Sequence, residues 1–365
     1  MFFKVLLNLT IAALVLYIVV KFLSMLFDQV TFWVTSLEEK KRRYLLGGFG
    51  IFLIALPWLT AGNPYLLRTI LIVGIYIILA LSLNLIIGFA GQLSIGHAAF
   101  YAIGAYTTAL LTVSLGLNFW LAFILSFVVA GLFGFLLGVP ILRLKGDYLA
   151  IATIGFGEIV RLALINGGDI TRGPAGIPGI PSPSIFGFVF NDNISWYYFI
   201  YLMVVITVII SYNLLNSRLG RGLIAIRDDE IAAEAMGVKP SYLKILVFTL
   251  GAALAGIAGS IFASYIHYVN PDSYTYLESV TMLMMVVLGG IGSIPGVIVG
   301  AAILAILPEM LRTVELYRFA IYGLLLIIMM IARPEGMISM TSLRGGKKPS
   351  WQFLKLGKLL KPSED

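Results

Sequence analysis

The sequence predicts an all-α fold, a polytopic transmembrane helical bundle of about 10–11 helices, and three observations predict it. First, 60% of the 365 residues are hydrophobic and 12% are charged, with a mean hydropathy of +0.99. A soluble domain carries roughly twice that share of charge. Second, no Asp, Glu, Lys or Arg occurs from Thr69 to Leu142, and another uncharged run spans Ser279 to Pro308. A helix crosses a bilayer with about 20 apolar residues, so the first run has room for three passes. Third, the basic residues lie between apolar segments and not along one soluble face. The net charge of +7 and pI near 9.4 therefore indicate membrane topology and exclude a nucleic-acid partner. Barrel strands alternate in polarity and give a far weaker signal than these runs.

Taken in order, the apolar segments lie at about 5–27, 45–61, 69–88, 95–115, 119–140, 148–165, 196–215, 244–266, 279–290, 295–311 and 317–332. Lys4 before an apolar core resembles a secretion signal. The run continues past Lys21 to Phe27 without a small-residue cleavage site, so a retained helix is expected, with Lys21 snorkelling near one end. Residues 1–44 then form an extra N-terminal helix and basic loop, 45–335 the main transmembrane domain, and 336–365 a basic tail. Trp351, Phe353, Leu354, Leu356, Leu359 and Leu360 interleave with that tail's lysines, which suits contact with anionic membrane lipid.

Orientation follows from Lys and Arg. With Lys40, Lys41, Arg42 and Arg43 inside, alternation through eleven segments also places inside Arg143 and Lys145, the bases of 217–244, Arg333 and the tail. That is 18 of the 25 basic residues. The N-terminus is expected outside and the C-terminus in the cytoplasm. The outer loop 166–193 is rich in Gly and Pro and reads as an irregular surface segment. The inner loop 217–244 reads as a short amphipathic helix from Ile224 to Met236. Ile224, Ile231, Ala235 and Val238 recur at helical spacing, and Gly237 terminates it.

Two discontinuous segments interrupt the apolar runs near 88–96 and 288–296. "GQLSIG" at 91–96 is echoed by "GIGSIPG" at 290–296, and both breaks are uncharged. Irregular backbone at membrane depth must be buried in protein or line a cavity. Continuing a helix back to Ser94 puts Ser94, His97 and Tyr101 on one face. Gln92 lies just before it and Asn84 in the preceding segment. These residues either line a polar path or hold helices together. Glu158 joins them as a path candidate. Glu158 with Arg161, and Glu278, are also the ionisable groups that an ion-coupled secondary transporter would need, although an i, i+3 pair explains the first two more simply. Cysteine is absent and the two histidines, His97 and His267, are far apart in sequence, so no metal or acid–base cluster is visible. Nor is there a G-x-x-x-x-G-K-[ST] phosphate loop.

Five stretches together resemble a known family. "LSLNLIIGFAGQLSIGHAAFYAIGAY" (81–106), "KGDYLAIATIGFGEIVR" (145–161), "RGPAGIPGIP" (172–181), "SRLGRGLIAIRDDEIAAEAMGV" (217–238) and "VVLGGIGSIPGVIVGA" (286–301) are similar to the permease subunit of branched-chain amino-acid ABC importers, of the LivM type. The resemblance covers about residues 65–335. It implies a bacterial inner-membrane permease that passes Leu, Ile or Val together with a second, LivH-type permease, two cytoplasmic ATPases and an external or periplasmic substrate-binding protein. Urea or another small amide is the alternative cargo. It further implies that the chain is not an enzyme and binds no cofactor, ATP and Mg²⁺ sitting on the ATPases. The coupling segment would lie within 217–240. Arg227, Asp228, Asp229, Glu230, Glu234 and Gly237 would serve contact with an ATPase, with Glu234-Ala235-Met236-Gly237 in place of a fuller EAA loop.

Overall fold

Asn63 opens the first long helix: its side chain accepts from the Leu66 backbone N–H, and Pro64 occupies the first turn, where its missing N–H costs nothing. This helix, α1 (Pro64–Asn84), is buried on almost every side from Leu71 onward, as an all-round apolar helix must be. The computed structural model describes residues 53–60, 62–141, 146–185, 187–310, 318–332 and 336–338, with 48, 50 and 144 singly. The expected N-terminal helix at 5–27, the Lys40–Arg43 loop and the tail beyond 338 lie outside the described residues, as does most of 45–61 before a helical stretch at 53–60.

The chain continues through α2 (His97–Ala109), α3 (Phe119–Ile141), α4 (Asp147–Ile165), α5 (Asn193–Asn216), α6 (Arg218–Asp228), α7 (Glu230–Ala235), α8 (Pro240–Ile266), α9 (Tyr276–Gly289), α10 (Ile294–Met310) and α11 (Arg318–Ala332). Among the described residues, five helices are long and apolar enough to cross a membrane: α1 with its following turn, α3, α4, α5 and α8. Shorter apolar helices coincide with α9, α10 and α11. The helices fall within a few residues of the expected segments. The chain is a multi-pass helical membrane protein.

Helix α8 is the central post, packed on α3, α2 and α1. Lipid tails are as apolar as leucine, so close backbone approach and interhelical hydrogen bonds hold such helices together. At the α2–α8 crossing a Cβ on Gly104 would collide with the Gly256 backbone. A few residues along, Thr108 Oγ1 donates to Ser260 Oγ at 2.7 Å. The opposite faces of α3 and α5 leave Ile124, Val128, Leu132, Leu202 and Val205 exposed, as sides turned to lipid or to another subunit do.

Two sets of contacts fix the ends of the bundle. At one end the outer loop is more ordered than expected. Ile177–Pro178 pairs antiparallel with Tyr268–Val269, and Ser184–Ile185 with Phe188–Val189. His267 stands in the left-handed region at φ 60°, with its Nδ1 bonded to the Ile180 carbonyl at 2.7 Å. Irregular composition misses the first pair because its backbone partner comes from a distant loop; the second is a short hairpin within the loop itself. At the other end, the N–H groups of Met337 and Ile338 donate to the Leu288 and Gly289 carbonyls. The stretch after α11 thereby satisfies acceptors that the end of α9 leaves open.

Candidate functional site

The first break begins as α1 widens into a π-turn, Leu85–Phe89. It continues as irregular backbone until α2 starts at His97. A π-turn and a glycine-rich exit shift the hydrogen-bond register, so local donors and acceptors lose their helical partners. Three side chains and one backbone N–H from other parts of the chain bond to this stretch. Thr153 Oγ1 of α4 accepts from Ile95 N–H at 3.0 Å. Ser279 Oγ of α9 accepts from Ala98 N–H at 2.8 Å. The Gly292 N–H of the second break donates to Asn84 Oδ1 at 2.8 Å. Arg227 Nη1 donates to the Gly88 carbonyl at 2.5 Å.

The two glycine breaks therefore touch. A Cβ on Gly88 would collide with Asn84 Oδ1 and lie 2.7 Å from the Gly292 nitrogen, so only glycine permits the approach. Gly91, Gly290 and Gly292 all have positive φ, at 66°, 117° and 86°. Ser293, the counterpart of Ser94 in the echoed motif, accepts from Gly296 N–H at 3.2 Å; Ser94 Oγ has no such bond.

The structure corrects one expectation about the polar residues. Because α2 starts at His97, Ser94 lies in the irregular segment and shares no helical face with His97 and Tyr101. Asn84, Gln92, Ser94 and His97 nevertheless gather along the first break, all buried. His97 Nε2 bonds Ser82 Oγ at 2.7 Å. With the Ser82 hydroxyl hydrogen directed to the Leu79 carbonyl, the imidazole is the donor, which leaves Nδ1 an acceptor. Four buried polar atoms here have no partner among the described residues: Asn84 Nδ2, Gln92 Oε1, Ser94 Oγ and His97 Nδ1. Each such group costs about 1–3 kcal/mol if nothing ever satisfies it.

Tyr101 and Glu158 stand apart from that group. The Tyr101 ring packs on Tyr274 and Phe262 at 5.0 and 5.5 Å. It lines a cavity of about 370 Å³ with Tyr76, Asp272, Thr275, Glu278 and Thr281. Burial pushes the Tyr274 phenol well above its ordinary value, and the neighbouring Tyr106 and Glu278 add to the shift. Glu158 belongs to an ion-pair network: Arg161 reaches it at 3.0 Å and also holds Asp272 at 2.9 Å. The local pair expected from the sequence is thus extended by a partner 111 positions away.

The segment 217–240 is two helices, not one. Asp229 is extended, at φ −154° and ψ 108°. Its carboxylate accepts from Ile231 and Ala232 N–H at 2.9 and 3.0 Å and so caps α7. Gly237, at φ 85°, closes α7: its N–H donates to Glu234 and the Val238 N–H to Ala233, the paired bonds of a Schellman stop. The buried face is Leu223, Ile226 and Ala233, whereas Ile231 and Met236 are 78% and 85% exposed. The expected apolar stripe is therefore the outward one at Ile231, because the kink at Asp229 rotates α7 relative to α6. Glu230 pairs with Lys244 of α8 at 2.6 Å. Asp228 and Glu234 are exposed. Sequence reading overlooked Ser82, Thr153, Ser279 and Lys244. Their one signal is polarity inside an apolar run, which names no partner.

Comparison with known proteins gives a consistent answer. Residues 65–332 match the family described as "Branched-chain amino acid transport system / permease component". The chain is 41% identical over 324 residues to the high-affinity branched-chain amino acid transport system permease protein LivM of Escherichia coli. That match covers 82% of this chain and 76% of the relative. It is 26% identical over 318 residues to a probable branched-chain amino acid transport permease protein LivM of Methanocaldococcus jannaschii, covering 73% and 90%. To the permease protein LivH of Escherichia coli it is 26% identical over 292 residues, covering 72% and 91%. No solved structure matches the chain significantly.

Proposed function

The chain belongs to the branched-chain amino acid transport permease family, and from that premise we propose that it is the LivM-type permease subunit of an ATP-driven importer of leucine, isoleucine and valine. It pairs with a LivH-type permease, receives substrate from an external binding protein, and is driven by two cytoplasmic ATPases that hold ATP and Mg²⁺. The likeness to both LivM and LivH proteins supports a heterologous pair of related permeases. The setting is the bacterial inner membrane, with 166–193 outside and 217–244 inside.

The observation that carries this reading is the exposed, doubly capped pair α6–α7 in a chain whose family match runs through it. Both helices are anchored to the bundle by their inner faces. They present Asp228, Ile231, Glu234 and Met236 outward, an acid-rimmed apolar surface suited to an ATPase cleft. Asp229 and Glu230 support it from within the chain, as cap and as ion pair. ATP-driven closure of the ATPases would push this pair as a rigid body and bias the permease between inward-open and outward-open states. Asn84, Gln92, Ser94 and His97 form the polar part of the path, and their unpaired atoms are satisfied when the breaks separate and admit water or substrate. Tyr101 and Glu158 belong to the outer approach.

Co-expression with the partner subunits tests this. Asp228→Lys with Glu234→Lys should remove the ATPases from the purified complex and abolish uptake, because reversing charges at an interface typically costs several kcal/mol. Retention of both ATPases with coupled uptake would overturn the docking assignment.

A further inference from the structure

Arg227 lies among the acids of the coupling segment and is itself exposed, yet one end of its guanidinium reaches back to the first break. Nη1 donates to the Gly88 carbonyl, an acceptor that the π-turn has released from its helix. A Cβ on Gly91 would come within 3.1 Å of Arg227 Cγ, and one on Gly292 within 2.9 Å of Arg227 Nη1. One side chain from the last turn of α6 therefore rests on both glycine breaks at once. The breaks in turn are joined by the Gly292 N–H to Asn84 bond. Glycine at 91 and 292 keeps the slot open, since any larger residue would displace the arginine.

We propose that Arg227 is the positioning residue that transmits movement of the coupling segment to both breaks. It ties α6 and the Gly88 carbonyl into one mechanical unit that swings as the ATPases close. This rests on the docking reading above and goes beyond it: docking uses the outward face of α6–α7, transmission uses this one side chain that reaches back. The residue type suits the task. Arginine carries five donors on a rigid plane, so it can hold a carbonyl while its stem packs against glycine backbone. A lysine at the same place could keep the one bond but not the planar guanidinium that lies against Gly292.

The test uses the reconstituted importer with its ATPases and binding protein. Arg227→Ala should leave both ATPases bound, which separates it from failure of docking. Amino acid moved per ATP hydrolysed should fall roughly tenfold, the effect of one charge-assisted hydrogen bond on an equilibrium. Arg227→Lys should fall between Arg227→Ala and the unmodified protein. A second variant guards against simple loss of folding. The Cβ built on Gly91 lies 3.5 Å from Arg227 Cβ, within disulfide range, and the chain has no cysteine of its own. Gly91→Cys with Arg227→Cys should be uncoupled when reduced and regain coupling when oxidised, because the covalent tether replaces the guanidinium. An oxidised, cross-linked protein no better coupled than its reduced form would overturn the proposal. So would wild-type coupling in Arg227→Ala. Loss of the ATPases from Arg227→Ala would overturn it in favour of a docking role.

Discussion

Gly237 and Lys244 show how single residues shape the proposed coupling segment. At φ 85° any side chain at 237 meets the steric penalty of left-handed backbone, so Gly237→Ala should cost about 1 kcal/mol. Nothing crowds that position, so the cost is conformational and the variant should fold. A lowered melting temperature in detergent with retained insertion would show it; an unchanged melting temperature would refute the strain argument. Lys244 is 8% exposed and reaches Glu230 at 2.6 Å. Lys244→Met removes one partner and leaves the half-buried carboxylate, whereas the double change to Lys244→Met with Glu230→Gln removes both. The single variant should be the less stable of the two, since an abandoned charge costs more than an absent pair. The reverse order would assign the pair no structural role.

At the scale of elements, the helices α1, α3, α4, α5 and α8 are legible in the sequence because long apolar runs bounded by charge or by glycine and asparagine breaks need no tertiary information. The stop at Gly237 is equally legible from glycine followed by Lys239-Pro240. The kink at Asp229 is not, because the adjacent Asp228 and Asp229 are equivalent candidate caps and only packing of α6 and α7 chooses one. Of the site, the residues lining the first break are legible as polar intrusions. Their contacts with Ser82, Thr153, Ser279 and Gly292 are not, because hydrogen bonds between helices leave no periodic trace. The close crossing of α2 and α8 gives an element-scale prediction. Gly104→Leu would force the backbones apart where Gly256 now meets it, so the purified permease should lose its monodisperse elution. Gly155→Leu, on α4 with open space around it, should elute normally, and equal behaviour of the two would show that the crossing is not tight.

For the whole molecule, contacts sort the loops into two groups. The pairing of 177–178 with 268–269 and the Arg161–Asp272 bridge collect one end. The two breaks, α6 and residues 337–338 collect the other. In the proposed orientation, drawn from the basic-residue asymmetry, the second end faces the cytoplasm. The cysteine-free chain gives a clean background for labelling, so Ser217→Cys should react with an impermeant thiol reagent only from the inner face, and Ser182→Cys only from outside. Labelling of Ser217→Cys from outside would invert the assignment.

The bond between Asn84 and Gly292 spans 208 positions, and that distance is also a delay. At about 5–20 residues per second a ribosome needs roughly 10–40 s to travel it. Throughout that interval the first break exists without its partner, its side-chain amide and turned-out carbonyl facing lipid, water or an insertion factor. The permeation core is thus completed late in elongation, when the last third of the polypeptide arrives to close what the first third left unfinished. Nascent chains arrested before residue 290 should expose the 88–96 stretch to protease, and chains arrested well past α10 should protect it. Equal protection in both would mean that the break finds its shelter earlier, from α4 or α6 alone.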